Sequence, residues 1–151
     1  MRRKDRERSR EFALEVTDKY EWAVLSMTDL EGKPYAVPLT IVRDGESVYF
    51  HTAKAGRKID ILRQSPAVCL VCVGDTERLK DKFTTKYESA VISGYAEEVT
   101  EEEEKIHALR ILCQRHTPTN MHEFEDAVSG SLKATGVWKI RMKEVTGKAK
   151  K

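Results

Sequence analysis

The sequence predicts a mainly β domain: a closed or nearly closed antiparallel barrel of about six strands with flanking helices. Three observations predict it. Stretches of alternating apolar and polar residues recur along the chain, as in strands with one buried face. Most links between them have hairpin length, which joins antiparallel neighbours. Helical periodicity is confined to a few segments, too few to alternate with the strands of a parallel sheet. The 151 residues suit a single domain with a proper core, and no internal repeat or linker interrupts them.

Residues from about 4 to 19 are predicted helical, because Phe12, Val16 and Tyr20 recur every four residues with Ala13 beside them. Trp22 to Thr28 reads as a strand. Asp29 to Pro34 is a turn punctuated by Gly32 and Pro34. Tyr35 to Arg43 is a second strand, and Pro38 in its middle demands an edge, a bulge or a ligand in place of a neighbouring strand. Asp44-Gly45 signals a hairpin into the strand Ser47–Ala53. A helix follows over about 55–64 and stops at Ser65-Pro66. Ala67 to Val73 is almost wholly apolar, as in a strand buried on both faces, and Gly74 to Lys82 is polar and read as a loop. Thr84 to Val99 is a long β segment with a bulge or bend at Gly94. Thr100 to Glu103 has the spacing of a capping box. The helix it opens runs to about His116, burying Ile106, Leu109, Leu112 and Cys113, until Thr117-Pro118 breaks it. A short helix is expected over 121–128. Val137 to Lys143 then alternates, with Trp138, Ile140 and Met142 inward and the cations outward. A frayed basic tail is expected over about 147–151.

Composition limits the function. Hydrophobic residues make up 40% and charged residues 34%, which describes a soluble domain with a highly charged surface. No apolar run approaches the ~20 residues of a membrane span, and the charged N-terminus is unlike a signal peptide. Cys69, Cys72 and Cys113 cannot all pair within one chain, so reduced thiols in a cytoplasm are expected. Net charge is only +2. The positive excess lies at the ends, in Arg2, Arg3, Lys4, Arg6, Arg8 and Arg10 and in Lys148, Lys150 and Lys151. Without an aromatic platform or a groove-reading motif, nucleic-acid binding is not expected.

Several chemistries lack their residues. Cys69 and Cys72 have C-x-x-C spacing, but within a strand they face opposite ways and suit neither a metal nor a disulfide. His51, His107, His116 and His122 form no H-E-x-x-H motif, so no metal site is expected. His107 and His116 stand about 2.5 turns apart on one helix and read as surface residues. Nucleophile-elbow, Rossmann and P-loop signatures are absent.

The stretch with the most chemistry is Ser47 to Leu62. A strand ending in His51-Thr52-Ala53 meets Gly56 and a helix start, with Lys54, Arg57 and Lys58 at the junction. Free N–H groups and the positive end of the dipole suit an anion there, and arginine can grip a phosphate with two hydrogen bonds. Taken alone, the stretch reads equally as a solvated basic loop. Likewise Tyr87, Ser89 and Val91 share one face of a strand, either lining a polar pocket or lying half exposed, and Trp138 is either core or ligand contact.

Taken in order, Gly32 to Leu39, Tyr49 to Ala53, Gly56-Arg57-Lys58, Tyr87 to Gly94, Glu102 to Lys105, Val137 to Ile140 and Thr146-Gly147-Lys148 resemble the FMN-binding split-barrel proteins related to pyridoxamine 5′-phosphate oxidase. The branch most resembled includes the Nim-type 5-nitroimidazole resistance proteins. The resemblance implies a six-stranded antiparallel split barrel and a homodimer with two FMN molecules at its interface. It places Val37, Pro38, Leu39 and Thr40 along the isoalloxazine ring. His51, Thr52, Ala53, Arg57 and Lys58 match the loop that holds the ribityl phosphate, and Tyr87, Ser89 and Trp138 would approach from the flavin-facing or partner side. Pyridoxamine phosphate oxidases proper carry a C-terminal arginine and histidine pair for the substrate's phosphate. After Trp138 this chain has Arg141 but no histidine, so that substrate is not expected. The resemblance implies an oxidoreductase, with NADH or NADPH as possible donor and a small electrophile such as a nitro compound as acceptor. His51 is then the candidate for proton delivery, since imidazole titrates near neutrality. The alternative is a binding module that carries flavin, haem or a deazaflavin without turnover.

Overall fold

The computed structural model describes all 151 residues. A 3-10 turn at Lys4–Arg6 and a two-residue strand β1 (Glu7–Arg8) precede α1 (Arg10–Lys19). Ser9 breaks the expected single N-terminal helix: its side chain caps α1 by accepting from the Phe12 amide at 3.2 Å. There follow β2 (Trp22–Thr28), β3 (Pro34–Thr40), β4 (Val42–Asp44), β5 (Ser47–Ala53), α2 (Arg57–Gln64), β6 (Ala67–Leu79), β7 (Thr84–Glu98), α3 (Glu102–His116), a 3-10 turn at Pro118–Glu123, α4 (Phe124–Ser131) and β8 (Thr135–Lys150).

The strands form one strongly curled sheet in the order β3-β2-β6-β7-β8-β5-β4, with β1 on β8, all pairs antiparallel. The count is eight, against the six expected, because the single strand predicted over 35–43 breaks at Ile41 and because Glu7–Arg8 pairs with Lys148 and Gly147. That pairing also replaces the expected frayed tail: β8 continues to Lys150 between β1 and β7. Gly74 to Leu79, read as a loop, prolongs β6 as an arm paired with the start of β7. Polarity misled there, since a two-stranded arm in solvent needs no apolar face.

β3 and β4 lie at the two ends of the sheet order, yet Ile41 alone separates them in sequence. The sheet must therefore curl until its ends meet, which is a split barrel. Pro38 is consistent with this, because β3 pairs on one side only, with β2. Inside the curl, Leu25, Ile41, Phe50, Leu70, Ile92, Trp138 and Ile140 pack with Ile59 and Leu62 of α2. The curl uses a bulge in the β7–β8 ladder, where Ser93 and Gly94 of β7 face Glu144 and Met142 and β8 carries the extra residue Lys143. A Cβ on Gly94 would sit 2.1 Å from the Arg141 carbonyl oxygen, so only glycine permits the approach. Burial along β6 alternates, with Val68, Leu70 and Cys72 inward and Val73 exposed; the strand is not buried on both faces within this chain.

A second core lies outside the barrel. There α3 and α4 cover Val42, Tyr49 and Val137 with Leu109, Leu112, Phe124 and Val128. Ile106 and Cys113 are only half buried, and Glu101 starts α3 without the expected side-chain cap. This cover explains why Lys139, predicted outward, is 8% exposed. Its Nζ lies 2.6 Å from Glu104 Oε1, which also accepts from the Tyr49 hydroxyl at 2.8 Å. Burial, reinforced by Glu104, pushes the Tyr49 phenol up to about 12, while Lys139 holds the Glu104 carboxyl below its ordinary range.

The C-terminal end of α3 ties the seam. Arg115 Nη1 and His116 Nε2 both reach the Ile41 carbonyl oxygen, at 2.9 and 2.7 Å. Arg115 Nη2 also donates to the carbonyls of Thr17 and Tyr20 at the end of α1, at 3.1 and 2.6 Å. His116, read from sequence as a surface residue, is thus half buried and bonded. His107 is exposed and pairs with Asp44.

Arg115→Met should lower the unfolding free energy by about 2–4 kcal/mol in denaturant titration, because it leaves three carbonyls short of a charged donor. An effect under about 0.5 kcal/mol would show that the seam closes without it. Glu104→Gln should cost about 1–3 kcal/mol at pH 7. A depressed carboxyl contributes stability above its unfolded pKa and loses it as pH falls through its folded pKa. The gap between wild type and Glu104→Gln should therefore narrow on acidification, and a constant gap would assign the loss to packing.

Candidate functional site

The junction of β5 and α2 is built by local sequence. His51, Thr52 and Ala53 end the strand against Val137, Gly136 and Thr135 of β8. Gly56 sits at φ 131°, a conformation open to glycine and strained for other residues, and turns the chain into α2. No side chain caps that helix, so its first amides have no side-chain acceptor. Three cations surround them. The Arg57 guanidinium lies 4.5 Å from the centre of the Tyr35 ring, and Lys58 Nζ lies 5.8 Å from that of Phe50. Lys54 stands close enough to Lys105 to help burial depress the Lys105 amine.

Arg43, Arg63, Arg110 and Arg141 each hold a carboxylate. Arg57 and Lys58 rest instead on aromatic rings. Burial alone lowers the Lys58 amine, and burial followed by the Lys58 charge lowers His51 and favours its neutral form. Uncompensated cations at an uncapped helix start form an anion seat, and the positions of Thr52, Ala53, Arg57 and Lys58 suit a phosphate group.

β3 supplies an adjoining wall. Val37 is half buried, Pro38 is exposed, Leu39 is buried in the barrel core and Thr40 is half buried at the seam. Thr40 and His51 share the mouth of a pocket of about 400 Å³ that runs between α3 and α4. The structure thus brings together Thr40, His51 and the α2 cations. It does not bring Tyr87 and Ser89 to them: these pair with Lys150 and Lys148, whereas His51 pairs with Val137 at the other end of β8. Burial alone would raise the Tyr87 phenol, but Arg6 and Lys148 beside it outweigh that and hold it low. Trp138 is 2% exposed and packs within the barrel. Sequence reasoning did not include Tyr35, Lys105 or the α3–α4 wall in the site. Tyr35 could have been found from its aromatic side chain on the Pro38 strand, but the others come from distant segments with no local signal.

A profile of the family described as pyridoxamine 5′-phosphate oxidase matches residues 9–149. No curated protein matches. Among solved structures, the flavocytochrome Anf3 from Azotobacter vinelandii is 22% identical, with TM-score 0.85, covering 100% of this chain and 72% of its own. The FAD and haem binding protein from Mycobacterium smegmatis is 20% identical, with TM-score 0.80, covering 95% of this chain and 72% of its own. A protein assigned as a 5-nitroimidazole antibiotic resistance protein, from Bacteroides thetaiotaomicron, is 24% identical, with TM-score 0.76, covering 93% of this chain and 84% of its own. The curled sheet with its seam is therefore a split barrel, and the chain belongs to the pyridoxamine 5′-phosphate oxidase family.

Proposed function

We propose that this protein binds FMN and acts as an oxidoreductase, with the ribityl phosphate on the α2 seat and the ring along Val37 to Thr40. The observation that carries the reading is the cluster of Lys54, Arg57 and Lys58 without acidic partners around an uncapped helix start. The flavin and haem proteins among the structural neighbours support it. Arg57 would grip the phosphate in two places, Lys58 would add a point charge, and Gly56 would let the backbone approach. Flavin, when bound, supplies the hydride or electron transfer. His51, which lines the neighbouring pocket, would hold or deliver a proton there. NADH or NADPH is the proposed donor, and a small electrophile such as a nitro compound the acceptor.

The reading includes a homodimer. Across the outer face of the sheet, Pro38, Val24, Val71 and Val91 align in one rung over four strands. Near it Trp22 is 64% exposed and Val73 54%, and no element of this chain covers them. An apolar sheet face of this kind is buried by a partner. A second copy is the proposed occupant, because Tyr87 and Ser89 lie too far along β8 to join the site of their own chain. No helix is long and apolar enough to cross a membrane.

Purified protein saturated with FMN should show flavin absorbance after gel filtration, and Arg57→Ala and Lys58→Ala should each weaken FMN by about 1.5–3 kcal/mol in fluorescence titration. Unchanged affinity in both variants would place the phosphate elsewhere. Bound flavin that neither NADH nor NADPH reduces would mark a carrier instead of a reductase. Val24→Glu should convert a dimer to monomers in sedimentation velocity, whereas a monomeric wild type would remove the partner from the reading.

A further inference from the structure

The pocket between α3 and α4 differs chemically from the cation seat beside it. Its volume, about 400 Å³, lies at the small end of the ~300–1,000 Å³ typical of small-molecule sites. Leu109, Leu112, Phe124 and Val128 supply apolar surface, and no side chain with a permanent charge reaches it. An anion or cation entering it would lose its hydration without an ionic partner.

The polar groups at its edge share a property. Thr117 Oγ1 donates to the Cys113 carbonyl at 3.2 Å, Ser131 Oγ to the Ala127 carbonyl at 2.7 Å, and Thr135 Oγ1 to the Ser131 carbonyl at 3.0 Å. Each of these three hydroxyl protons is thereby committed to the backbone, leaving oxygen lone pairs for the pocket, while the Thr40 hydroxyl in the same lining has no such partner. His116 Nε2 meets the Ile41 carbonyl, so that nitrogen carries a proton and donates it there. His51, which lines the same space, has its imidazole shifted toward the neutral form by burial and by Lys58, a form with one N–H donor and one acceptor nitrogen. The lining is thus apolar in bulk, free of charge, and dominated at its rim by acceptors.

We propose that this pocket binds a small, uncharged, largely apolar ring molecule that carries one N–H or O–H donor. An indole or a phenol has this chemistry; a carboxylate does not. The inference goes beyond the flavin reading, since most of the pocket's wall comes from α3 and α4, with Thr40 and His51 shared between the two sites. If that reading holds, the ring would lie beside the cofactor, with His51 between them.

The test is NMR or calorimetric titration of the full chain, with and without FMN, using indole, 1-methylindole and indole-3-carboxylate. Indole should bind, 1-methylindole should bind at least five-fold more weakly for want of its donor, and the carboxylate at least ten-fold more weakly. Ala127→Trp, which fills the pocket from the exposed side of α4, should weaken indole at least ten-fold. Ala127→Leu should do so to a smaller extent and serves if the tryptophan variant does not fold. FMN affinity should be unchanged in either. Failure of indole to bind, equal binding of the three probes, or indole affinity unmoved in the Ala127 variants would overturn the proposal. Loss of FMN in those variants would also overturn it, by making the pocket part of the cofactor site. Failure of FMN to bind at all, with indole behaving as expected, would sink the flavin reading and leave this one standing.

Discussion

The constraint on which the rest of the structure depends is the single residue between β3 and β4. These strands end the sheet on opposite sides, so Ile41 forces the sheet to curl through nearly a full turn. Its own carbonyl then lies where no strand continues the ladder. A buried carbonyl without a donor costs on the order of 1–3 kcal/mol. Arg115 and His116 from the end of α3 supply that donor, and Arg115 adds the end of α1 to the same knot. Opposite sheet ends and two helices thus converge on one point, beside Thr40 and the pocket mouth.

That arrangement gives α3 two jobs that share one physical logic. At its start, Glu104 satisfies Tyr49 and the buried Lys139. At its end, Arg115 and His116 satisfy the seam. Between them its apolar face closes the second core and one wall of the pocket. The helix is tied by polar contacts at both ends and by apolar packing along its length, which fixes the pocket wall relative to His51. The α2 junction is different. Its cations lean on aromatic rings instead of carboxylates, and its helix start has no cap. Three cations without acidic partners at an uncapped helix start leave this corner positive, and that is the physical content of the site.

The strands were legible because alternation reports a buried face directly. Trp22 to Thr28, Ser47 to Ala53 and the Asp44-Gly45 hairpin fall where periodicity and turn chemistry put them. Gly94 marks a bulge because only glycine tolerates the carbonyl of Arg141 at that distance. Local reading failed where an element's partner lies far away in sequence. The arm from Gly74 to Leu79 looked like a loop because its ladder has no apolar face, and β8 looked frayed because β1 and β7 cover its end. Lys139 looked exposed because the strand pattern is silent about a helix packed outside the barrel.

The sequence by itself determined the antiparallel barrel, the irregularity of the strand at Pro38 and the cationic junction from His51 to Lys58, since each rests on neighbours within a few residues. The ordered motifs also carried the family. Tertiary structure alone decided that Arg115 and His116 close the seam, that Lys139 is buried, that Trp138 belongs to the barrel core and that Tyr87 and Ser89 lie at the far end of β8 from His51. The physical reason is the same in each case. Those roles depend on which distant backbone groups and surfaces the curl brings opposite a side chain, and spacing along a chain does not encode what it will face.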